Sequence, residues 1–286
     1  MIRNPAIGFI GFGEAGSNIA GGLRKAGIDR TFAFDIRPVE DRAEVSGTIV
    51  LDSPSALAAA SDIVIAAVTA NSALDAAKSI GPFLKEHHLY VDINSVSPAL
   101  KQEIEVVIRN TGASFIEAAV MAPVPPYGHR VPMLLGGNGA HGFMETMAPF
   151  GMRLEVLQGR VGTAAAVKMC RSIVVKGLEA LMLECVLAAG HFETEDRVFA
   201  SLNESFPGID WKKLADYMIS RVVLHGERRA HEMDEVAETL RAIGIDPIMA
   251  EATARRQAWS VEMNLKSRFG AEGPAGYREV LDAINK

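Results

Sequence analysis

Two groups of residues in this 286-residue chain have types and spacing suited to chemistry. The first is a glycine pattern. In AIGFIGFGEAGSNIAGGLRKAG, Gly11, Gly13 and Gly16 form G-x-G-x-x-G between an apolar run and a helical pattern. In that setting Gly11 permits a tight turn, Gly13 lets backbone approach a pyrophosphate, and Gly16 lets the helix pack close to the strand. Phe12, Glu14 and Ala15 complete the loop, and the helix N-terminus presents unpaired N–H groups to phosphate. Asp35 follows Gly16 by about 19 residues, where an acid binds the adenosine ribose hydroxyls, with Ile36 and Arg37 beside it. A carboxylate there repels a 2′-phosphate, so NAD is the expected cofactor. Arg37, which would accommodate that phosphate, keeps NADP as the alternative. The second group surrounds Lys168, inside GTAAAVKMCRSIVVKG. An ammonium is costly to remove from water, so Lys168 either reaches back to solvent or is held in a cleft to move protons.

The elements that position these residues fall into two halves. AIGFIG (6–11), TFAFD (31–35), DIVIAAV (62–68), LYVDI (89–93) and SFIEAAV (114–120) read as strands, nearly continuous in apolar residues as in a parallel sheet buried on both faces. Helical patterns at 15–26, 72–86 and 98–110 separate several of them, and 132–137 and 153–157 extend the sheet. The expected fold is α/β: a Rossmann-type doubly wound sheet over 1–160, then an all-α domain over 161–286 entered by a long interdomain helix at 162–190. Further helices are expected near 194–206, 210–224, 226–243 and 247–266. Ligands in such sheets sit at the carboxyl ends of strands, which adds Val68, Thr69, Ala70, Asn94 and Ser95 to the cofactor contacts. Asn94 and Ser95 also read as caps for the helix starting at Pro98.

Composition narrows the class. Hydrophobic residues make up 49% of the chain and charged residues 22%, enough apolar material for real cores. A net charge of −6 argues against a nucleic-acid-binding face. The basic pairs Arg228-Arg229 and Arg255-Arg256 lie among acidic residues and read as solvated helix faces. Glu179 and Glu184 likewise read as exposed charges on the long helix. Cys170 and Cys185, if on one helix, lie roughly 22 Å apart along it, too far to pair. This pattern, with no signal peptide and no run long enough to span a membrane, points to a cytoplasmic setting. His87, His88, His129, His141 and His191 have no metal-ligand spacing, and no metal is expected.

The glycine fingerprint running on into Ala20, Leu23 and Ala26-Gly27, then VDINSVSP, then GTAAAVKMCRS, resembles the β-hydroxyacid dehydrogenase superfamily. That group includes the 3-hydroxyisobutyrate and 6-phosphogluconate dehydrogenases. The resemblance covers essentially the whole chain. AAVMAPVPPYGHRVPMLLGG and HGERRAHEMDEVAETL look closer to a branch with a 6-phosphogluconate-dehydrogenase-like C-terminal domain. It implies a homodimer formed through the helical domains, and it makes Lys168 the general acid/base. Ser172 stands where the superfamily usually has a substrate-orienting Asn. Met121-Ala122-Pro123 stands where it has a carboxylate-binding Ser-Gly-Gly. Both changes remove polar contacts, so the expected substrate is a hydroxyl-bearing, relatively apolar small molecule, an aromatic one among the candidates. Arg171, three positions after Lys168, and His225 are further substrate candidates; an ion pair and a surface role are the other readings of each. The leading expectation is an NAD(P)-dependent oxidoreductase. A lyase cleaving a C–C bond beside a hydroxyl, and a non-catalytic dinucleotide-binding protein, are the alternatives.

Overall fold

The computed structural model describes residues 4–284. The chain divides into two compact units, Met1–Lys168 and Met169–Lys286. The first opens with β1 (Ala6–Ile10), α1 (Glu14–Lys25), β2 (Arg30–Phe34), α2 (Glu40–Ser46), β3 (Ile49–Val50), α3 (Pro54–Ala60) and β4 (Ile63–Ala66). It continues with α4 (Ala73–Ile80), β5 (Leu89–Asp92), α5 (Pro98–Arg109), β6 (Ser114–Val120), β7 (Met133–Gly136), α6 (Ala140–Met147) and β8 (Leu154–Val156).

The eight strands form one sheet in the order β3-β2-β1-β4-β5-β6-β7-β8. β1 to β6 pair in parallel; β7 runs antiparallel to β6, and β8 parallel to β7. The strand order reverses between β1 and β4, and that switch point opens the crevice where such sheets bind ligands. Apolar residues cover both faces. Phe9, Ile65, Val91 and Ile116 pack on one side with Ile19 and Leu23 of α1, and Val64, Tyr90 and Phe115 on the other with Ile104 and Ile108 of α5.

The seven expected strands are all present. The two-residue β3 was not expected, nor were α2, α3 and α6, which are eight residues or shorter and leave little periodicity to read. The helical pattern at 72–86 resolves into α4 flanked by short 3₁₀ turns, because Pro82 cannot continue an α-helix.

α7 (Thr163–His191) begins in the first unit and continues into the second. The second unit adds α8 (Glu195–Ser205), α9 (Trp211–Ala242), α10 (Ile248–Glu262), α11 (Leu265–Phe269) and α12 (Tyr277–Ile284). Three expectations are corrected here. The helices expected at 210–224 and 226–243 are one, α9, and Gly226 is not a break. A Cβ at Gly226 would lie 2.0 Å from Ser260 Oγ and 2.8 Å from the Gln257 carbonyl, so this glycine lets α9 and α10 touch. Glu179 is buried rather than exposed. Its Oε2 accepts a 2.6 Å hydrogen bond from Arg229, also buried, and Arg221 approaches Oε1 at 3.5 Å. A charge in that position is held by its partners, not by water. Arg229 therefore does not belong to a solvated face.

Candidate active site

The glycine turn is built as its sequence requires. Gly11 has φ +85°, and a Cβ there would lie 2.5 Å from Val68 Cγ1 and 2.7 Å from the Ala67 carbonyl. A Cβ at Gly16 would lie 2.9 Å from the Gly11 carbonyl, so α1 sits directly on the turn. At Gly13 a Cβ would meet nothing within 4 Å. Gly13 is also the N-cap of α1 and supplies no capping side chain, so the first-turn N–H groups face open space. Such a turn suits a pyrophosphate. Phe12 is fully buried and anchors the loop from below, whereas Glu14 is exposed and Ala15 half-buried.

Asp35 lies just past β2, and its carboxylate fixes two stretches of backbone. Oδ2 accepts from the Phe12 N–H at 2.8 Å, and Oδ1 accepts from the Arg37 N–H at 2.9 Å. The Arg37 guanidinium is largely solvent-exposed, with Nε 3.9 Å from Oδ1. Ile36 is 89% exposed, an apolar side chain on open surface next to the acid.

The ends of β4 and β5 are tied together beside this turn. The Val68 N–H donates to Asn94 Oδ1 at 2.8 Å, and the Asn94 N–H donates to Asp92 Oδ1 at 2.8 Å. Asn94 is buried, and its Nδ2 has no protein partner, leaving a donor for a ligand. Thr69 and Ala70 follow Val68 into a short 3₁₀ turn, Thr69 exposed and Ala70 half-buried. The open space at Gly13, the orphan donor on Asn94 and the acid at the end of β2 all fit a dinucleotide.

Lys168 lies in the second turn of α7, and its Nζ donates a 2.6 Å hydrogen bond to Ser95 Oγ. A continuous set of contacts thus runs from Gly11 to Val68, Asn94, Ser95 and Lys168. Ser95 is exposed and Lys168 half-buried. The helix capping expected of this segment comes instead from Ser97, whose Oγ accepts from the Leu100 N–H. Met121 and Ala122, half-buried, and Pro123, exposed, lie just past β6.

The other candidates belong to the second unit. Ser172 follows Lys168 by one turn of α7, and its Oγ accepts a 2.9 Å hydrogen bond from Lys176. Lys176 is buried, with its Nζ 2.9 Å from Glu232 Oε2. Arg171 is exposed. His225 is on α9; desolvation among its neighbours, then the cations Arg228, Arg221, Arg229 and Lys266, hold its imidazole down at about 4. It is therefore neutral at pH 7, a poor anchor for an anion. No cluster of metal-ligating side chains occurs among the described residues.

Three residues with consequences for the site escaped the sequence reading: Asp92, Lys101 and Glu117, all buried. The signal for the two acids was a single carboxylate inside each of the apolar runs LYVDI and SFIEAAV.

Comparison with known proteins agrees with this geometry. Residues 6–126 match the NAD binding domain of 6-phosphogluconate dehydrogenase, and residues 189–260 match a domain of unknown function, DUF1932. An uncharacterised 28.5 kDa protein of Methanothermus fervidus is 32% identical, over 86% of this chain and 95% of its own. The mitochondrial 3-hydroxyisobutyrate dehydrogenase of Drosophila melanogaster is 28% identical, over 72% of this chain and 64% of its own. A solved structure described as a conserved protein of unknown function with structural similarity to 3-hydroxyacid dehydrogenases is 30% identical, with a TM-score of 0.76. That match covers 92% of this chain and 97% of the other. With its dinucleotide turn, its α7 lysine and these relatives, the chain belongs to the β-hydroxyacid dehydrogenase superfamily.

Proposed function

We propose that this protein is an NAD-dependent dehydrogenase of a small hydroxyl-bearing substrate, with Lys168 as its general acid/base. The observation that carries the reading is the 2.6 Å hydrogen bond from Lys168 Nζ to Ser95 Oγ, beside the loop that joins Asn94 to the glycine turn. It holds the Lys168 amine beside Ser95 at the carboxyl end of β5, on the side of the sheet where such folds bind ligands, which supports the proposed role. The dinucleotide would rest its pyrophosphate on the Gly11–Gly16 turn and its ribose hydroxyls on Asp35. Ile36 would cover the adenine edge, and Val68, Thr69, Ala70, Asn94 and Ser95 would line the nicotinamide end. When bound, it supplies the hydride acceptor.

Lys168 does the remaining work at the reacting carbon. In its amine form it takes the substrate hydroxyl proton as the carbinol C–H leaves as hydride and the C=O bond forms. In the reverse direction the ammonium returns that proton. Ser95 Oγ, accepting one Nζ–H, sets the direction of the amine. Positioned proton transfer of this kind is worth roughly 10²- to 10⁴-fold in rate.

Ser172 is proposed to hydrogen-bond the substrate, and Met121, Ala122 and Pro123 to wall its apolar part. NAD is preferred because the Asp35 carboxylate would oppose a 2′-phosphate and Arg37 points largely into solvent. A homodimer through the helical unit is part of the proposal, since Val174, Leu178 and Leu181 leave an exposed apolar stripe along α7. Incubating the protein with NAD⁺ or NADP⁺ and a panel of aliphatic and aryl-substituted hydroxyacids, while following reduced-nicotinamide absorbance, tests the reading. Cofactor reduction with at least one substrate is expected. Substrate loss without cofactor reduction would point to C–C cleavage instead.

A further inference from the structure

Beneath the start of α7 lies a fully buried charged cluster that the proposed chemistry does not use. Asp92 at the end of β5 and Glu117 on β6 are register partners on neighbouring parallel strands, about 4.8 Å apart, and both are 0% exposed. Lys101 of α5, 1% exposed, places Nζ 3.1 Å from Asp92 Oδ1 and donates to the Asp92 carbonyl at 2.8 Å.

Glu117 Oε1 accepts from the Gly162 N–H at 2.8 Å and the Ala164 N–H at 3.2 Å. Gly162 precedes α7 and has no side chain to cap it, so Glu117 reaches across from the sheet to satisfy N–H groups that would otherwise be orphaned. The fit is close. Gly162 adopts φ +99°, and a Cβ there would lie 3.0 Å from Pro98. Gln102 of α5 donates to the Val161 carbonyl at 2.9 Å. A Cβ at Gly136 would lie 2.5 Å from Glu117 Oε1, so β7 leaves the carboxyl its room.

Two oxygens remain. Glu117 Oε2 and Asp92 Oδ2 are buried, and neither has a hydrogen-bond donor. Two carboxylates against one ammonium would leave a net negative charge in an apolar core, which is strongly unfavourable. One proton resolves both problems. It makes the cluster neutral and turns Glu117 Oε2 into a donor for Asp92 Oδ2. Charge balance and orphan oxygens point to the same atom pair.

We propose that Glu117 is the positioning residue for Lys168: a neutral carboxyl group that receives the first-turn N–H groups of α7 on Oε1 and donates from Oε2 to Asp92, whose charge Lys101 balances. Lys168 is six residues past Gly162, so a shift of the first turn moves its amine directly. This rests on the reading of Lys168 as the proton-transfer group. Desolvation also holds the Glu117 carboxyl above the ordinary range, outweighing its backbone hydrogen bonds and the Lys101 charge. The other titratable group on this face is Tyr90, two residues before Asp92; burial, then the Asp92 charge, keeps its phenol neutral.

The test compares Glu117→Gln, Glu117→Leu and Gly136→Ala with the wild type. Gln keeps an oxygen for the α7 N–H groups and an N–H for Asp92, so it should retain wild-type kcat within about threefold, as two preserved hydrogen bonds imply. Leu removes both bonds, and Gly136→Ala crowds the carboxyl. Each should lower kcat by roughly 10- to 100-fold, the effect of a sub-ångström to 1 Å misplacement, with KM changed far less. Equal loss in Gln and Leu would overturn the neutral carboxyl. Unchanged kcat in folded Leu and Gly136→Ala variants would overturn the positioning role. Infrared difference spectra supply a readout independent of turnover: a protonated-carboxyl C=O band at neutral pH should be present in wild type and absent in Glu117→Gln. If that band is present in wild type and lost in Glu117→Gln while no substrate turns over, the dehydrogenase reading fails and the neutral carboxyl stands.

Discussion

In the proposed reading Asp35 would serve the fold and the cofactor with one carboxylate. It holds the Phe12 and Arg37 N–H groups, and under the proposal its charge would meet the adenosine ribose hydroxyls. Replacing it with Ala should weaken NAD⁺ binding by roughly 10- to 100-fold, the worth of charged hydrogen bonds. NADP⁺ binding should weaken less, because a repulsion goes too. Calorimetric titration of both cofactors checks this, and equal losses would remove Asp35 as the discriminator. His225 gives a pH signature. Its folded value of about 4 lies below the ordinary 6.5, so the unfolded chain gains a proton first as pH falls. Stability should therefore drop from about pH 6.5 to pH 4, modestly because the ring is exposed, and His225→Gln should flatten that slope in urea titrations. At this scale the glycines and Asp35 were legible because backbone geometry demands them at fixed spacing. Lys168 stood out by resemblance. Glu117 did not, because its partners lie 45 and 47 residues away and only the register of β5 with β6 brings Asp92 to it.

Helix α9 shows how far element-level reading reaches. Gly226 looks like punctuation in sequence, yet it is the contact point with α10. Gly226→Ala sets two effects against each other. Helix propensity would gain about 1 kcal/mol. Forcing a methyl to 2.0 Å from Ser260 Oγ and 2.8 Å from a carbonyl costs typically 1–3 kcal/mol or more. The clash should win, with a lower thermal midpoint; a higher one would mean that the helices separate freely. Glu179 makes the same point on α7. Leaving Arg229 buried without it should cost about 3–5 kcal/mol, and replacing both residues by apolar ones of similar volume should recover most of that in chemical denaturation. Strands were easier to read than these helices because the sheet is buried on both faces, and that leaves unbroken apolar runs. The short helices α2, α3 and α6 left no comparable trace.

For the whole molecule, each unit has its own apolar core, and no described helix is long and apolar enough to cross a membrane. Ligand linkage should separate the units. Dinucleotide at 100 times its Kd would stabilise the native first unit by about 2.7 kcal/mol. The fold class was legible because strand and helix alternate in the first half and only helices follow. The substrate is less legible, because Met121, Ala122, Pro123 and Ser172 say what has been removed from relatives rather than what has been added. The central claim rests on one amine. Lys168→Ala should lower kcat by roughly 10²- to 10⁴-fold, while the Kd for NAD⁺ stays within about threefold. A variant that binds NAD⁺ normally and reduces it at the wild-type rate would contradict the account.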